Sequence, residues 1–149
     1  MKILLVSDSH GDDESLRKIA SKHNDCDCYV HLGDSQSNDE SIRPFIAVKG
    51  NCDFYSSKFP KFLELNSPYG KIYCEHIPFY QTSIPTLKRH NFKIYLCGHT
   101  HIKKNEMVDG VRVINPGAIA YPRDSWASYA IVTITENSVK CQFYDLSEI

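Results

Sequence analysis

The chain repeats one arrangement five times: a short apolar run that ends in a residue able to ligate a metal. Leu4-Leu5-Val6 leads into Asp8-Ser9-His10, and Tyr29-Val30-His31-Leu32 into Gly33-Asp34. Ile46-Ala47-Val48 leads into Gly50-Asn51-Cys52-Asp53, and Ile72-Tyr73-Cys74 into Glu75-His76. Ile94-Tyr95-Leu96-Cys97 ends in Gly98-His99-Thr100-His101. Short runs rich in Ile, Leu and Val fit strands buried on both faces. In α/β sheets, sites collect beyond the carboxyl ends of such strands. One edge would then gather Asp8, His10, Asp34, Asn51, His76, His99 and His101. Taken singly, each residue is ordinary turn chemistry. The coincidence of five is what points to a site.

The remaining pattern sets the fold class. Strand Lys2–Ser7 is followed by a helix over Glu14–Ala20, with Leu16, Ile19 and Ala20 on one face and Asp12 or Asp13 as N-cap. Cys28–Leu32 is a second strand, Asp39–Arg43 a short helical piece stopping before Pro44, and Phe45–Val48 a third strand. Alternation of strand and helix predicts parallel pairing. Beyond it the signals are hairpins: Lys61–Leu65 with Lys71–Cys74, Glu106–Val108 with Val111–Ile114 around Asp109-Gly110, and Tyr129–Ile134 with Val139–Tyr144. Ser83–His90 reads as a helix with Pro85 in its first turn, and Lys93–Cys97 as a strand. The expectation is an α/β chain with two sheets packed together, a single domain over 1–149.

Composition narrows the function. With 17 basic against 18 acidic residues the formal charge is −1, so a protein that coats nucleic acid is disfavoured. No stretch approaches the ~20 apolar residues of a membrane span, and the start is too short in apolar residues for a signal peptide, which predicts a cytoplasmic protein. The six cysteines lack paired C-x-x-C spacing. Cys28, Cys74, Cys97 and Cys141 fall in apolar runs and read as small core residues. His31 lies inside a strand and reads as a satisfied core histidine.

The ligand set is nitrogen and oxygen, which suits Mn, Fe, Ni, Co or Zn better than a thiolate-rich structural site. Asp8-x-His10 and His99-x-His101 are i, i+2 pairs, which point the same way on extended backbone. Gly33, Gly50 and Gly98 stand before ligands, where a missing Cβ permits close approach.

In order and spacing, Asp8-Ser9-His10, Gly33-Asp34, Gly50-Asn51-Cys52-Asp53, His76 and Gly98-His99-Thr100-His101 resemble the motif series of the calcineurin-like metallophosphoesterases. The resemblance is greatest to their small single-domain prokaryotic phosphodiesterase branch and runs from Met1 to about Tyr121. It implies a four-layer sandwich of two mixed sheets flanked by helices. It also implies two divalent metal ions, manganese first among the candidates. Asp8, His10, Asp34 and His101 would hold one; Asp34, Asn51, His76 and His99 would hold the other, with Asp34 bridging. Two metals ~3.5–4 Å apart activate a bridging hydroxide and clamp a phosphoryl group for in-line attack.

Three departures from the family pattern stand out. Cys52 replaces the histidine that many members use to protonate the leaving group, so its thiol becomes the candidate donor. His76-Ile77-Pro78 stands where relatives read His-Gly-His. Asn115-Pro116-Gly117-Ala118 lacks a usual serine, and nearby Arg123 is a candidate phosphate contact. The resemblance therefore implies hydrolysis of a small phosphate ester, most naturally a phosphodiester, with Asp34, Asn51 and Cys52 as catalytic residues and Asn51 and Arg123 on the substrate. A non-catalytic scaffold resembling the small retromer subunit is the alternative. A homo-oligomer is left open. Segments Asp53–Phe59, Pro78–Thr86 and Gly117–Trp126 would choose the substrate.

Overall fold

A computed structural model describes residues 1–149. Ten strands and two helices follow in the order β1 (Lys2–Val6), α1 (Asp13–Lys22), β2 (Cys28–His31), β3 (Ile46–Ala47), β4 (Phe62–Ser67), β5 (Gly70–Glu75), α2 (Tyr80–Arg89), β6 (Phe92–Leu96), β7 (Lys103–Val108), β8 (Val111–Pro116), β9 (Ser128–Ile134) and β10 (Val139–Asp145). One sheet has the order β10-β9-β1-β2-β3, the other β4-β5-β6-β8-β7. Both are mixed. The central β1·β2 and β5·β6 pairs are parallel, whereas the hairpins β4·β5, β7·β8 and β9·β10 are antiparallel.

Strand alternation explains the layers. Ile3 and Leu5 of β1 join Ile94 and Leu96 of β6 in a core between the sheets. Leu4 and Val6 face the other way, onto Leu16 and Ile19 of α1. Tyr95 and the following Cys97 face Ile84 and Leu87 of α2. A helix, two sheets and a second helix thus make the four expected layers. Helix α1 starts where Asp12 accepts from the Ser15 N–H at 3.1 Å, one of the two N-caps expected. No helix is long and apolar enough to cross a membrane.

Three local expectations are corrected. Asp39–Pro44 forms turns, not a helical piece. The Asn38 carboxamide accepts from the Ser41 N–H at 2.9 Å, and the residue before a proline avoids helical backbone. Helix α2 begins at Tyr80, so Pro85 lies inside it, beyond the first turn. The third strand shrinks to Ile46–Ala47. All six cysteines are free: Cys74 and Cys97 are buried, and Cys28 and Cys141 pack against the inter-sheet core from partly buried positions.

Candidate metal centre

The parallel strands deliver their carboxyl ends to one edge, and the expected residues meet there. Asp8 follows β1 and Asp34 follows β2, both buried; His76 follows β5 and is buried; His99 and His101 follow β6. Asp8 Oδ1 lies 3.2 Å from His101 Nε2, and Asp34 Oδ2 lies 3.1 Å from His76 Nε2. Asn51 Oδ1 sits 2.9 Å from His76 Nε2 and 3.1 Å from His99 Nδ1. His10, Asp34, Asn51, Cys52, His99, His101, Tyr121 and Arg123 line a cavity of about 310 Å³. Asp8 and His76 lie beneath it.

Partners on the far side aim the imidazoles. His76 Nδ1–H donates to the Leu32 carbonyl at 2.7 Å, His101 Nδ1–H to the Tyr121 carbonyl at 2.8 Å, and His10 Nδ1–H to Gln36 Oε1 at 2.7 Å. Each Nε2 is therefore left to face the site, which is how metal-binding histidines are oriented. Asp8 Oδ2 accepts from Ser7 Oγ–H at 2.5 Å and from the His99 N–H at 3.1 Å, turning Oδ1 inward.

The donor set fits a cation. Asp8 Oδ1 and His10 Nε2 are buried and have no hydrogen-bond partner. Such orphaned atoms are costly unless something fills the gap between them. Neighbouring donors on an octahedral cation with ~2.1 Å bonds stand ~3 Å apart. The four separations above span 2.9–3.2 Å. Ligand atoms of Asp8, His10 and His101 form one group and those of Asp8, Asp34 and His76 another, each within 4.8 Å.

Electrostatics agree. Burial pushes the Asp34 carboxyl up, but the His76 imidazole and the Cys52 N–H outweigh it and bring it down to about 2. Asp8 is likewise raised by burial and lowered further by His101, His76 and Ser7. Burial pushes the His76 imidazole down, but Asp34 and Asp8 outweigh it and move it up, and the Asp8 carboxylate moves His101 up. The field at this edge selects cations.

The backbone departs from expectation. Asp8, His10, Asp34, His99 and His101 all adopt positive φ, between 46° and 70°. The i, i+2 pairs converge through left-handed turns, not along extended strands. Asp and His enter this region more readily than most side chains.

Residues outside the expected set complete the site. The Asp53 carboxylate accepts from the N–H groups of Gly50 at 2.6 Å, Gln36 at 2.8 Å and Asp34 at 3.0 Å, tying two ligand loops together. Its place at the end of Gly-Asn-Cys-Asp was the available signal. Buried Asn115 donates to the Gly98 carbonyl at 2.9 Å and accepts from the Gly117 N–H at 3.0 Å. Gln36 carried no signal. Pro78 stands at the position of the missing second histidine, and Ile77 before it borders a neighbouring cavity of about 310 Å³ with Asn51, His76, Lys49 and Lys61.

His31 is the satisfied core histidine expected. Its Nε2–H donates to Ser9 Oγ at 2.8 Å and its Nδ1 accepts from the Gly33 N–H at 3.1 Å. Burial drives its pKa down to about 4, against the opposing charges of Asp8, Asp53 and Asp34. A histidine depressed in the fold gives stability that is present above its unfolded value near 6.5 and lost as pH falls toward 4. Between pH 7 and pH 5 this group alone removes roughly 2 kcal/mol. Urea midpoints over that range should fall more for the parent protein than for His31→Gln.

A two-sheet α/β sandwich with an Asp/His/Asn cluster at its parallel strand ends makes a candidate metal centre of hydrolase type. The calcineurin-like phosphoesterase superfamily domain matches residues 1–137, and the chain belongs to that family of metallophosphoesterases. It is 36% identical, over 97% of its length and 91% of the relative's, to the probable metallophosphoesterase YsnB of Bacillus subtilis. A predicted phosphoesterase from Streptococcus pneumoniae superposes with a TM-score of 0.85 at 26% identity, covering 98% of this chain and 90% of that one. At lower identity the fold recurs in two further structures. One is an archaeal phosphodiesterase (TM-score 0.78, 23% identity, 97% and 100% covered). The other is Vps29 of Entamoeba histolytica (0.71, 20%, 97% and 99%).

Proposed function

We propose that the protein is a cytoplasmic, dinuclear-metal phosphodiesterase acting on a small phosphate ester. The observation that carries this reading is the convergence of orphaned Asp8 Oδ1 and His10 Nε2 with Asp34, Asn51, His76, His99 and His101. The archaeal phosphodiesterase of the same fold supports the diester over the monoester. Asp8, His10, Asp34 and His101 would hold one cation and Asp34, Asn51, His76 and His99 the other, with manganese the first choice. Two such ions supply Lewis-acid polarisation of a phosphoryl oxygen and a water acidic enough to serve as nucleophile near neutral pH.

The chain's own residues do the rest. Arg123 lines the cavity and meets a phosphate oxygen by a charge-assisted hydrogen bond. Asn51 lines the cavity; its oxygen would ligate a cation and its N–H₂, which donates to Cys52 Sγ at 3.5 Å, would face the ester. Water oxygen bonds to phosphorus as the ester P–O bond breaks. The departing oxygen takes a proton, for which the exposed Cys52 S–H is the donor. The proton that the attacking water loses restores the Cys52 thiol by way of solvent, and the products are a phosphomonoester and an alcohol.

The test is hydrolysis of bis-p-nitrophenyl phosphate and p-nitrophenyl phosphate by apoprotein titrated with Mn, Ni, Mg or Zn. Metal-dependent turnover at two ions per chain, faster on the diester, is the expected result. Stoichiometric binding with no turnover by any metal would favour the scaffold reading. No specific observation favours it here, because every expected ligand is present.

A further inference from the structure

A cavity of about 670 Å³ opens beside the metal edge, not within it. Its volume lies in the ~300–1,000 Å³ range of small-molecule sites. Two links place it next to the site. Gln36, which holds His10 by its Nδ1–H, is part of its wall, as is Gly11, the residue after His10. Across from them stands Phe54, two residues beyond Cys52, with 59% of its surface exposed.

The chemistry of the wall selects what can enter. Apart from Phe54 and the partly buried Phe59, the lining is polar and includes four serines and an asparagine. An alkyl or lipid arm would leave those groups unpaired. Asp13 and Asp39 face a single Lys58, so an arm carrying a further phosphate or carboxylate is repelled. Asp13 already accepts from Ser37 Oγ–H at 2.6 Å, whereas Asp39 takes part in no hydrogen bond or ion pair of that kind. What suits this wall is neutral, rich in hydroxyls, and flat on one side to stack on Phe54.

We infer that this cavity binds the organic arm of the phosphate ester and that the arm is a nucleoside. Its base stacks on Phe54 and its sugar hydroxyls donate to Asp39 and exchange hydrogen bonds with the serines. The inference rests on the phosphodiesterase reading for the position of the phosphorus, and on the cavity alone for the arm. Sugar or glycerol arms share the hydroxyls but have no face for Phe54 to stack on.

Two diesters with one leaving group test it: thymidine 5′-(p-nitrophenyl phosphate) and methyl p-nitrophenyl phosphate, with manganese-loaded protein. The parent should favour the nucleoside ester in kcat/KM by about tenfold or more, and Phe54→Ala should cut that ratio to about threefold or less. Equal rates on the two esters, or a ratio unmoved by Phe54→Ala, would overturn the assignment. If neither ester turns over with any metal, the phosphodiesterase reading fails while the cavity stays testable. Saturation-transfer NMR with thymidine alone should then show contact in the parent and a reduced signal in Phe54→Ala. No contact in the parent sinks the nucleoside.

Discussion

Replacing Asp34 by Asn should lower kcat/KM for a phosphodiester about a thousandfold, a loss of ~4 kcal/mol in transition-state stabilisation. Asp34 is 2% exposed and in contact with His76, and its other oxygen accepts from the Cys52 N–H at 2.8 Å. The amide keeps the volume and removes the charge. A buried carboxylate shared between two cations has no neutral substitute, because the charge it balances stays. On the dinuclear reading, metal content by elemental analysis should fall below the two ions per chain expected of the parent. Circular dichroism should be unchanged, since both sheets pack without help from this side chain. A variant that keeps parental turnover would rule out Asp34 as a bridging ligand.

Gly50→Ala should destabilise the fold by about 3 kcal/mol, the upper end of overpacking costs. In a domain of this size that lowers Tm by roughly 6–12 °C. A Cβ at Gly50 would overlap Asp34 Oδ1 and the Asp34 backbone nitrogen. Neither can withdraw, because Asp53 pins the Asp34 N–H at 3.0 Å and the Gly50 N–H at 2.6 Å. Gly110→Ala is the contrast. Its φ is +82° and a Cβ there meets nothing within 4 Å, so only the left-handed conformation costs, ~1–2 kcal/mol. Differential scanning calorimetry compares the two. Equal melting shifts would mean that strain, not overlap, sets the requirement at Gly50. Metal affinity should weaken in Gly50→Ala alone, because only that change pushes on a ligand.

Much of the architecture was written in local pattern. The period of two in β1 sends Ile3 and Leu5 to one core and Leu4 and Val6 to another, which already implies a sheet covered on both faces. Asp109-Gly110 marks the β7–β8 hairpin. The metal edge was legible for the same reason: every ligand lies within five residues of the end of a strand, so burying the strand fixes where the ligand emerges. The misreadings are also local. Asp39–Pro44 has helical residues but is capped into turns by Asn38, and α2 begins three residues before its apolar spacing shows.

What the chain determined alone is the type of residue at each strand end and the two faces of each strand, because both depend on neighbours a few positions away. Tertiary structure decided how those ends meet. The His99 N–H reaches Asp8 across 91 positions, and Asp53 joins loops that begin at Gly33 and Gly50. Those bonds hold five ligands at positive φ, a conformation no periodicity records. The large cavity beside His10 likewise exists only where the 11–13, 36–41 and 54–59 segments come together. Spacing in sequence sets which chemistry the chain can carry; contact between distant segments sets the geometry in which it acts.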